Sequence, residues 1–173
     1  DDEIVTIGTN KEAFGGVGND SIETYGGGLG LGGEGDDTMR LDPGSEANGE
    51  GGDDVLSVYN SSSDDDPASL TGGDGADTIE ADILSFGGLG EGVFAVVGDF
   101  DPTEDVLVVG SDGIGDTEGP AQIDTVTLIE ASDSSFTDVQ LDYTWILTGE
   151  PGSAVVRLLG VTGLTPDQIV LAG

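Results

Sequence analysis

The chain has no cysteine and no histidine, and its 36 acidic residues face only three cations, Lys11, Arg40 and Arg157. Each shortage excludes something. Without cysteine there are neither disulfides nor thiolate metal sites. Without histidine the commonest general base and the usual zinc ligand are missing. Three cations cannot build a basic patch, which rules out nucleic acid and anionic membranes as partners. The longest apolar stretches, such as "VFAVV" (93–97), are strand-sized, so no helix of membrane-spanning length is expected and no membrane insertion follows. No amino-terminal signal peptide is visible.

What the chain does have is charge and glycine. A formal net charge of −33 over 173 residues works against compactness unless something positive is bound. A halophilic or highly soluble surface would account for the amount of charge but not for its placement. Glycine is just as uneven, with 23 of the 32 glycines in residues 1–98. That region has short apolar pieces between glycine turns and no helical periodicity. From about residue 99, "IDTVTLIE" (123–130), "VQLDYTWIL" (139–147) and "AVVRLL" (154–159) read as strands of ordinary length. "SDGIGDTEGP" (111–120) and "TGEPGS" (148–153) read as connections. One short helical turn is expected at Thr165–Gln168, with Pro166 in its first turn.

The charge and the glycine coincide in a repeat, Gly-Gly-x-Gly-x-Asp-x-apolar-x. Residues 15–23, 32–40 and 72–80 match every specified position; residues 49–57 match all but one, with Glu50 in place of the second glycine. The template aspartates are Asp20, Asp37, Asp54 and Asp77, at spacings of 17, 17 and 23. Asp2, followed by Ile4, makes "DDEIV" the back half of a fifth copy, so upstream sequence is expected. An insertion around "NSSSDDDPAS" (60–69) accounts for the longer interval, with Asp64–Asp66 at its solvated tip.

Each template position has a physical role. The glycines allow positive φ and a tight turn whose carbonyl oxygens face one point. The aspartate adds a charged oxygen, and the apolar residue two positions later (Ile22, Met39, Leu56, Ile79) points inward from a short strand. Several flexible oxygen ligands and no nitrogen or sulfur are what a hard ion such as Ca2+ selects. A circuit of two short strands and two turns needs roughly 18 residues, so motifs 17 apart stack on one edge with ions between successive turns. The opposite edge, "GTNKEA" (8–13), "GGGLG" (26–30) and "PGSEA" (43–47), carries degenerate sequence, so the row of ions is expected on one edge only. Asp36, next to Asp37, reads as surface charge.

These repeats resemble the calcium-binding nonapeptides of RTX, or hemolysin-type, secreted bacterial proteins, which form a right-handed parallel β-roll. The resemblance extends to "VVGDFDPTEDVLVV" (96–109), similar to the segment after the last repeats, and to "VVRLLGVTGLTPDQIVLAG" (155–173), similar to carboxy-terminal ends that carry an uncleaved type I secretion signal. Residues 111–150 carry no matching motif. The implied fold is all-β: a β-roll over residues 1–98, then a small β-rich cap over 99–173 with a secretion-signal-like end. The implied ligand sets are Gly16, Gly18 and Asp20 with Gly32, Glu34 and Asp37; Gly33, Gly35 and Asp37 with Gly49, Gly51 and Asp54; and Glu50, Gly52 and Asp54 with Gly72, Asp74 and Asp77. Asp2 with Gly15, Val17 and Asp20 makes a fourth. Gly73 and Gly75 complete the last motif, and Asp99, Asp101 and Asp105, with Glu104, are candidates for a further site closing the roll. About three to five calcium ions are expected. Glu50 departs from the pattern where glycine would better tolerate the required φ.

No enzyme is expected. No segment matches the EF-hand loop. The carboxylates that could form a glycosidase pair are taken by the repeats. Trp145 and Tyr143 share a strand face with Leu141 and Leu147, which reads as packing, and no serine or threonine has an activating base. Two functions fit the pattern. One is a secreted structural or surface component (matrix, adhesin, surface layer or filament) that folds when it meets external calcium. The other is the carboxy-terminal folding and secretion module of a larger enzyme such as a protease, lipase or epimerase. The implied partners are calcium, the type I secretion apparatus, and further copies or cell-surface and matrix polymers. The implied location is extracellular or on the cell surface.

Overall fold

A computed structural model describes residues 1–60, 66–83, 92–110, 121–146 and 149–172. The chain is all-β, and among the described residues there is no α-helix. Two sheets alternate along the sequence. The odd strands β1 (Glu3–Ile7), β3 (Ser21–Tyr25), β5 (Thr38–Leu41), β7 (Val55–Asn60) and β9 (Thr78–Ile83) form one sheet. The even strands β2 (Glu12–Val17), β4 (Leu29–Glu34), β6 (Glu46–Gly51), β8 (Ala68–Asp74) and β10 (Val93–Val97) belong to the other. Each strand pairs in parallel with the strand two places on, so the intervening strand in the facing sheet serves as its crossover. The 17-residue interval therefore brings Ile22, Met39 and Leu56 to the same position on successive rungs, and Ile79 joins them in register despite a 23-residue interval.

Both sheets continue past residue 98. In the odd sheet, β11 (Val106–Gly110) pairs with β9, and β15 (Ile169–Leu171) pairs with β11. In the even sheet, β14 (Pro151–Leu159) pairs in parallel with β10. Beyond it, β13 (Phe136–Trp145) and β12 (Ala121–Glu130) add antiparallel. The predicted turn is a 3-10 helix, Pro166–Gln168, capped by Thr165. The acidic run Asp64–Asp66 lies outside the described residues except for exposed Asp66, and Leu147 and the connection 111–120 lie outside them as well.

The core lies between the sheets and changes along the stack. The register column Ile4–Ile22–Met39–Leu56–Ile79–Leu107–Ile169 runs the length of the odd sheet. One inward apolar residue per repeat understates it: Leu41, Val58, Ala81 and Val109 form a second buried column. They were hidden because they fall outside the nonapeptide. Opposite them, the even sheet presents only Ala13, Gly30 and Ala47 in its first turns. A side chain at Gly30 would meet Met39 Cε at 2.7 Å and Ile22 Cγ2 at 3.3 Å, so the missing side chain is what lets Met39 reach across. Farther on, Leu70, Phe94, Val97, Val139, Leu141, Val156 and Leu158 make an ordinary apolar interior.

Candidate metal centre

Each repeat enters from an even strand, turns, and leaves through its aspartate into the next odd strand. Positions two and four of the turn have positive φ: Gly16 (100°), Gly18 (117°), Gly33 (116°), Gly35 (127°), Gly52 (137°), Gly73 (108°) and Gly75 (142°). Glu50 holds the same conformation at 74°, as its place in the motif requires, and it is strained there because a β-carbon disfavours this region. Glycine also serves close stacking. Side chains at Gly33, Gly35, Gly52, Gly73 and Gly75 would run into the carbonyls of Gly16, Gly18, Gly35, Glu50 and Gly52, respectively, in the turn before.

The four template aspartates are almost fully buried, each 3% exposed or less. One oxygen of each is used. Asp20, Asp37 and Asp54 donate their backbone N–H to Oδ1 of Asp37, Asp54 and Asp77, at 2.7, 2.7 and 2.9 Å. Asp2 donates likewise to Asp20, and Asp77 to Asp105 at 2.9 Å. A single ladder thus runs Asp2–Asp20–Asp37–Asp54–Asp77–Asp105, and Asp105, which precedes Val106 and Leu107 as a template aspartate would, is its last carboxylate rung. The second oxygen, Oδ2 of Asp20, Asp37, Asp54 and Asp77, is buried with no hydrogen-bond partner among the described residues.

These orphaned oxygens do not stand alone. The point a side chain of Gly15 would occupy is walled by Asp20 Oδ2 and the Gly32 carbonyl. Asp37 Oδ2 and the Gly49 carbonyl wall the same point at Gly32, and Asp54 Oδ2 and the Gly72 carbonyl wall it at Gly49. At Gly72 the nearest atoms are those of the Asp77 side chain. The position-three carbonyls bind the preceding turn instead: Glu34, Gly51 and Asp74 accept the N–H of Gly18, Gly35 and Gly52 at 2.8 to 2.9 Å, each keeping a free lone pair. Among the described residues no three Asp, Glu, His or Cys side chains converge. The converging oxygens are stacked carboxylates interleaved with backbone carbonyls.

Stacking buried anions is unfavourable without a counter-charge. Burial, followed by the neighbouring aspartates, pushes the Asp54 carboxyl up to about 6. Burial likewise raises Asp37, with Asp20 and Asp36 adding to it, and raises Asp77, with Asp105 and Asp99 adding to it. Unpartnered buried carboxylate oxygens, carbonyls with spare lone pairs and repulsion between rungs fit a hard divalent cation. The residues that could hold it are the aspartate pairs Asp20/Asp37, Asp37/Asp54 and Asp54/Asp77 with the carbonyls of Gly32, Gly49 and Gly72.

A scan against protein-family models matches none of them, and no curated protein matches the chain.

Other expected ligands are placed differently. Val17, expected to contribute its carbonyl, turns its side chain to solvent, and Asp2 enters the ladder through its N–H. In the loop after β10, Asp99 accepts the N–H groups of Gly72 and Gly73 at 3.0 and 2.9 Å, which ends the even-strand turns. Asp105 uses both oxygens, on Asp77 and on the Asp101 N–H at 2.7 Å. Thr103 donates its hydroxyl and N–H to Asp101, which holds that exposed carboxyl below the usual range. Asp99, Asp101 and Asp105 therefore serve backbone donors and, at Asp101, a threonine hydroxyl.

Two features escaped the sequence reading. Asp36 is not idle surface charge: a second, outer ladder joins the residues just before the template aspartates. Asn19, Asp36, Asp53 and Ala76 donate N–H to the side chains of Asp1, Asn19, Asp36 and Asp53, at 2.9, 3.1, 3.1 and 2.9 Å. The recurring Asp or Asn at that position was the available signal. On the opposite edge, Asp42 accepts the Gly26 N–H with both oxygens, at 2.8 and 3.0 Å, and the hydroxyl of buried Ser45 at 2.6 Å. That edge is stitched by side chains without repeating a motif.

Proposed function

We propose that this chain is a calcium-stapled parallel β-roll, similar to those of RTX-type secreted bacterial proteins, and that it acts as a structural or surface component that folds on reaching external calcium. The observation that carries this reading is the row of four buried, unpartnered aspartate oxygens on one edge, three of them facing a glycine carbonyl of the next turn. Each ion would offset part of the net −33 charge and tie two turns together, so its binding free energy becomes folding free energy. Extracellular oxygen-ligand sites of this class bind at roughly 10⁻⁴–10⁻³ M, far above cytosolic calcium. A chain with that affinity stays unwound through export and winds outside, in the matrix, adhesin or surface layer to which it belongs.

Far-UV circular dichroism in EGTA and then in millimolar calcium tests the reading, together with calorimetric counting of bound ions. The expected result is a large gain of β signal with uptake of about three to five ions. An equally ordered spectrum in both conditions with no heat of binding would end it.

A further inference from the structure

Four asparagines occur in the chain, and they precede Lys11, Asp20, Gly49 and Ser61. Only the nitrogen after Asn48 belongs to a glycine, with no side chain to screen it. We infer that the Asn48–Gly49 junction is a modification site: it deamidates and isomerises while the chain is unwound, and the isoaspartyl product cannot rebuild the turn. In this step the Gly49 nitrogen attacks Cγ of the Asn48 amide. A C–N bond forms, the Cγ–Nδ2 bond breaks, and ammonia leaves with the proton that Gly49 gives up. Water then opens the resulting five-membered imide. Opening at Cγ leaves aspartate at position 48. Opening at the main-chain carbonyl leaves isoaspartate, whose backbone passes through Cβ and Cγ and is one atom longer.

The folded chain shields this junction. Asn48 lies in β6 between Leu31 of β4 and Thr71 of β8. Its amide oxygen accepts the Glu50 N–H at 3.0 Å, which fixes the side chain. Gly49 is enclosed by Asp54 Oδ2 and the Gly72 carbonyl. The nitrogen cannot swing onto Cγ until β6 leaves both neighbours.

The same packing makes the product harmful. The Gly49 carbonyl lies 2.7 Å from the point a Gly32 side chain would occupy, beside Asp37 Oδ2. Glu50 is already held at a φ of 74°. An extra backbone atom just before these residues moves Gly49, Glu50 and Gly51 out of step with the turns on either side. Modification at Asn48 thus records how long the chain has been unwound and removes old, unwound chains from the folding pool. The unwound state itself rests on the calcium reading above; the chemistry and its damage do not.

The test incubates the full chain at mildly alkaline pH with EGTA or with millimolar calcium. Peptide mapping then resolves aspartyl from isoaspartyl products, and circular dichroism is recorded on the separated fractions. In EGTA, Asn48 is expected to convert faster than Asn10, Asn19 and Asn60, with calcium slowing it, and the isoaspartyl fraction to lose the β signal the unmodified chain reaches in calcium. Asn48→Ser should abolish the conversion, and Asn48→Asp should fold like the parent, separating added charge from added chain length. Conversion at Asn48 no faster than at the other three in the unwound chain overturns the inference. So does an isoaspartyl fraction that folds like the parent, or an Asn48→Asp variant that fails as badly as the isoaspartyl fraction. If calcium alters neither the spectrum nor the rate, the calcium reading falls; the inference then stands if denaturant, in place of EGTA, speeds conversion at Asn48 above the other three, and is overturned if it does not.

Discussion

The same two sheets run through two regions that are held together differently. From β1 to β9, the even sheet is thin in its first turns, where Met39 and Ile22 reach over Gly30, and the conspicuous contacts are in the loops, carboxylate over carbonyl over carboxylate. From β10 to β15, the turns are less regular and the interior holds Phe94, Phe100, Leu141, Tyr143 and Leu158. Longer antiparallel strands wrap it, and Arg157 pairs with Asp138 through two hydrogen bonds of 2.7 and 2.9 Å while lying over the Phe136 ring at 4.0 Å. The lesson is that backbone pairing alone does not say what stabilises a sheet. In the first region, on the calcium reading proposed above, a counter-ion between stacked carboxylates adds to apolar burial that is thin in the first turns. In the second it is apolar burial, which depends on no ligand.

The largest expected effect separates the regions outright. Hydrogen exchange followed in EGTA should show β1–β9 exchanging freely while β10 and β13–β14 keep their protection, and added calcium should slow only the first group. Uniform loss of protection would erase the distinction. Next comes Leu141→Ala, which opens a cavity in the ligand-independent core. It should cost about 2–5 kcal/mol in denaturant unfolding, by a similar amount with and without calcium. Gly49→Ala strikes the other region: its β-carbon would collide with Asp54 and the Gly72 carbonyl, for about 1–3 kcal/mol and a weakened calcium response. Gly51→Ala, two positions further along the same turn and with only the Gly33 carbonyl at 3.9 Å, should fall within about 0.5 kcal/mol of the parent on the same assay.

Acidity gives a smaller, signed test. Asp54 titrates at about 6 in the metal-free fold and near 3.9 in an unfolded chain. Between those values the folded chain therefore binds more protons, so metal-free stability should rise as pH falls from about 6 towards 4 and should be lost as pH climbs through 6. Asp37 and Asp77, also raised, act in the same direction. With calcium the slope should reverse, because protons compete with the ion for the same oxygens. Circular dichroism across this range in EGTA, where protonation should recover part of the β signal, and denaturant midpoints in calcium check both signs.

Much of this was legible from spacing alone. Motifs 17 residues apart fixed the register of Ile22, Met39 and Leu56, and the template predicted the positive φ of Glu50. The strands at 123–130, 139–147 and 154–159 and the turn at Pro166 were readable from local composition, to within a few residues at each end. What escaped was whatever joins residues without a repeating spacing. Asp105 continues the ladder 28 residues after Asp77, an interval no period suggests. Asp42 stitches an edge whose three turns share no sequence, because a carboxylate can reach N–H groups from many local conformations. Asp36 was misjudged because its partner, the N–H of Asp53, belongs to the next turn and becomes a neighbour only when the coil is wound.

The intervals between rungs of the aspartate ladder are 18, 17, 17, 23 and 28 residues, yet each rung sits on the next with the same hydrogen bond. Rung height is set by the spacing of neighbouring strands, about 4.8 Å, and not by how much chain is spent between them. The molecule can therefore gain length only in whole steps along one axis, while any surplus sequence must bulge sideways. Such a body measures distance. It can hold apart whatever is attached to its two ends by an increment fixed in the backbone, and it offers its sides as places where foreign sequence could be grafted without changing that distance.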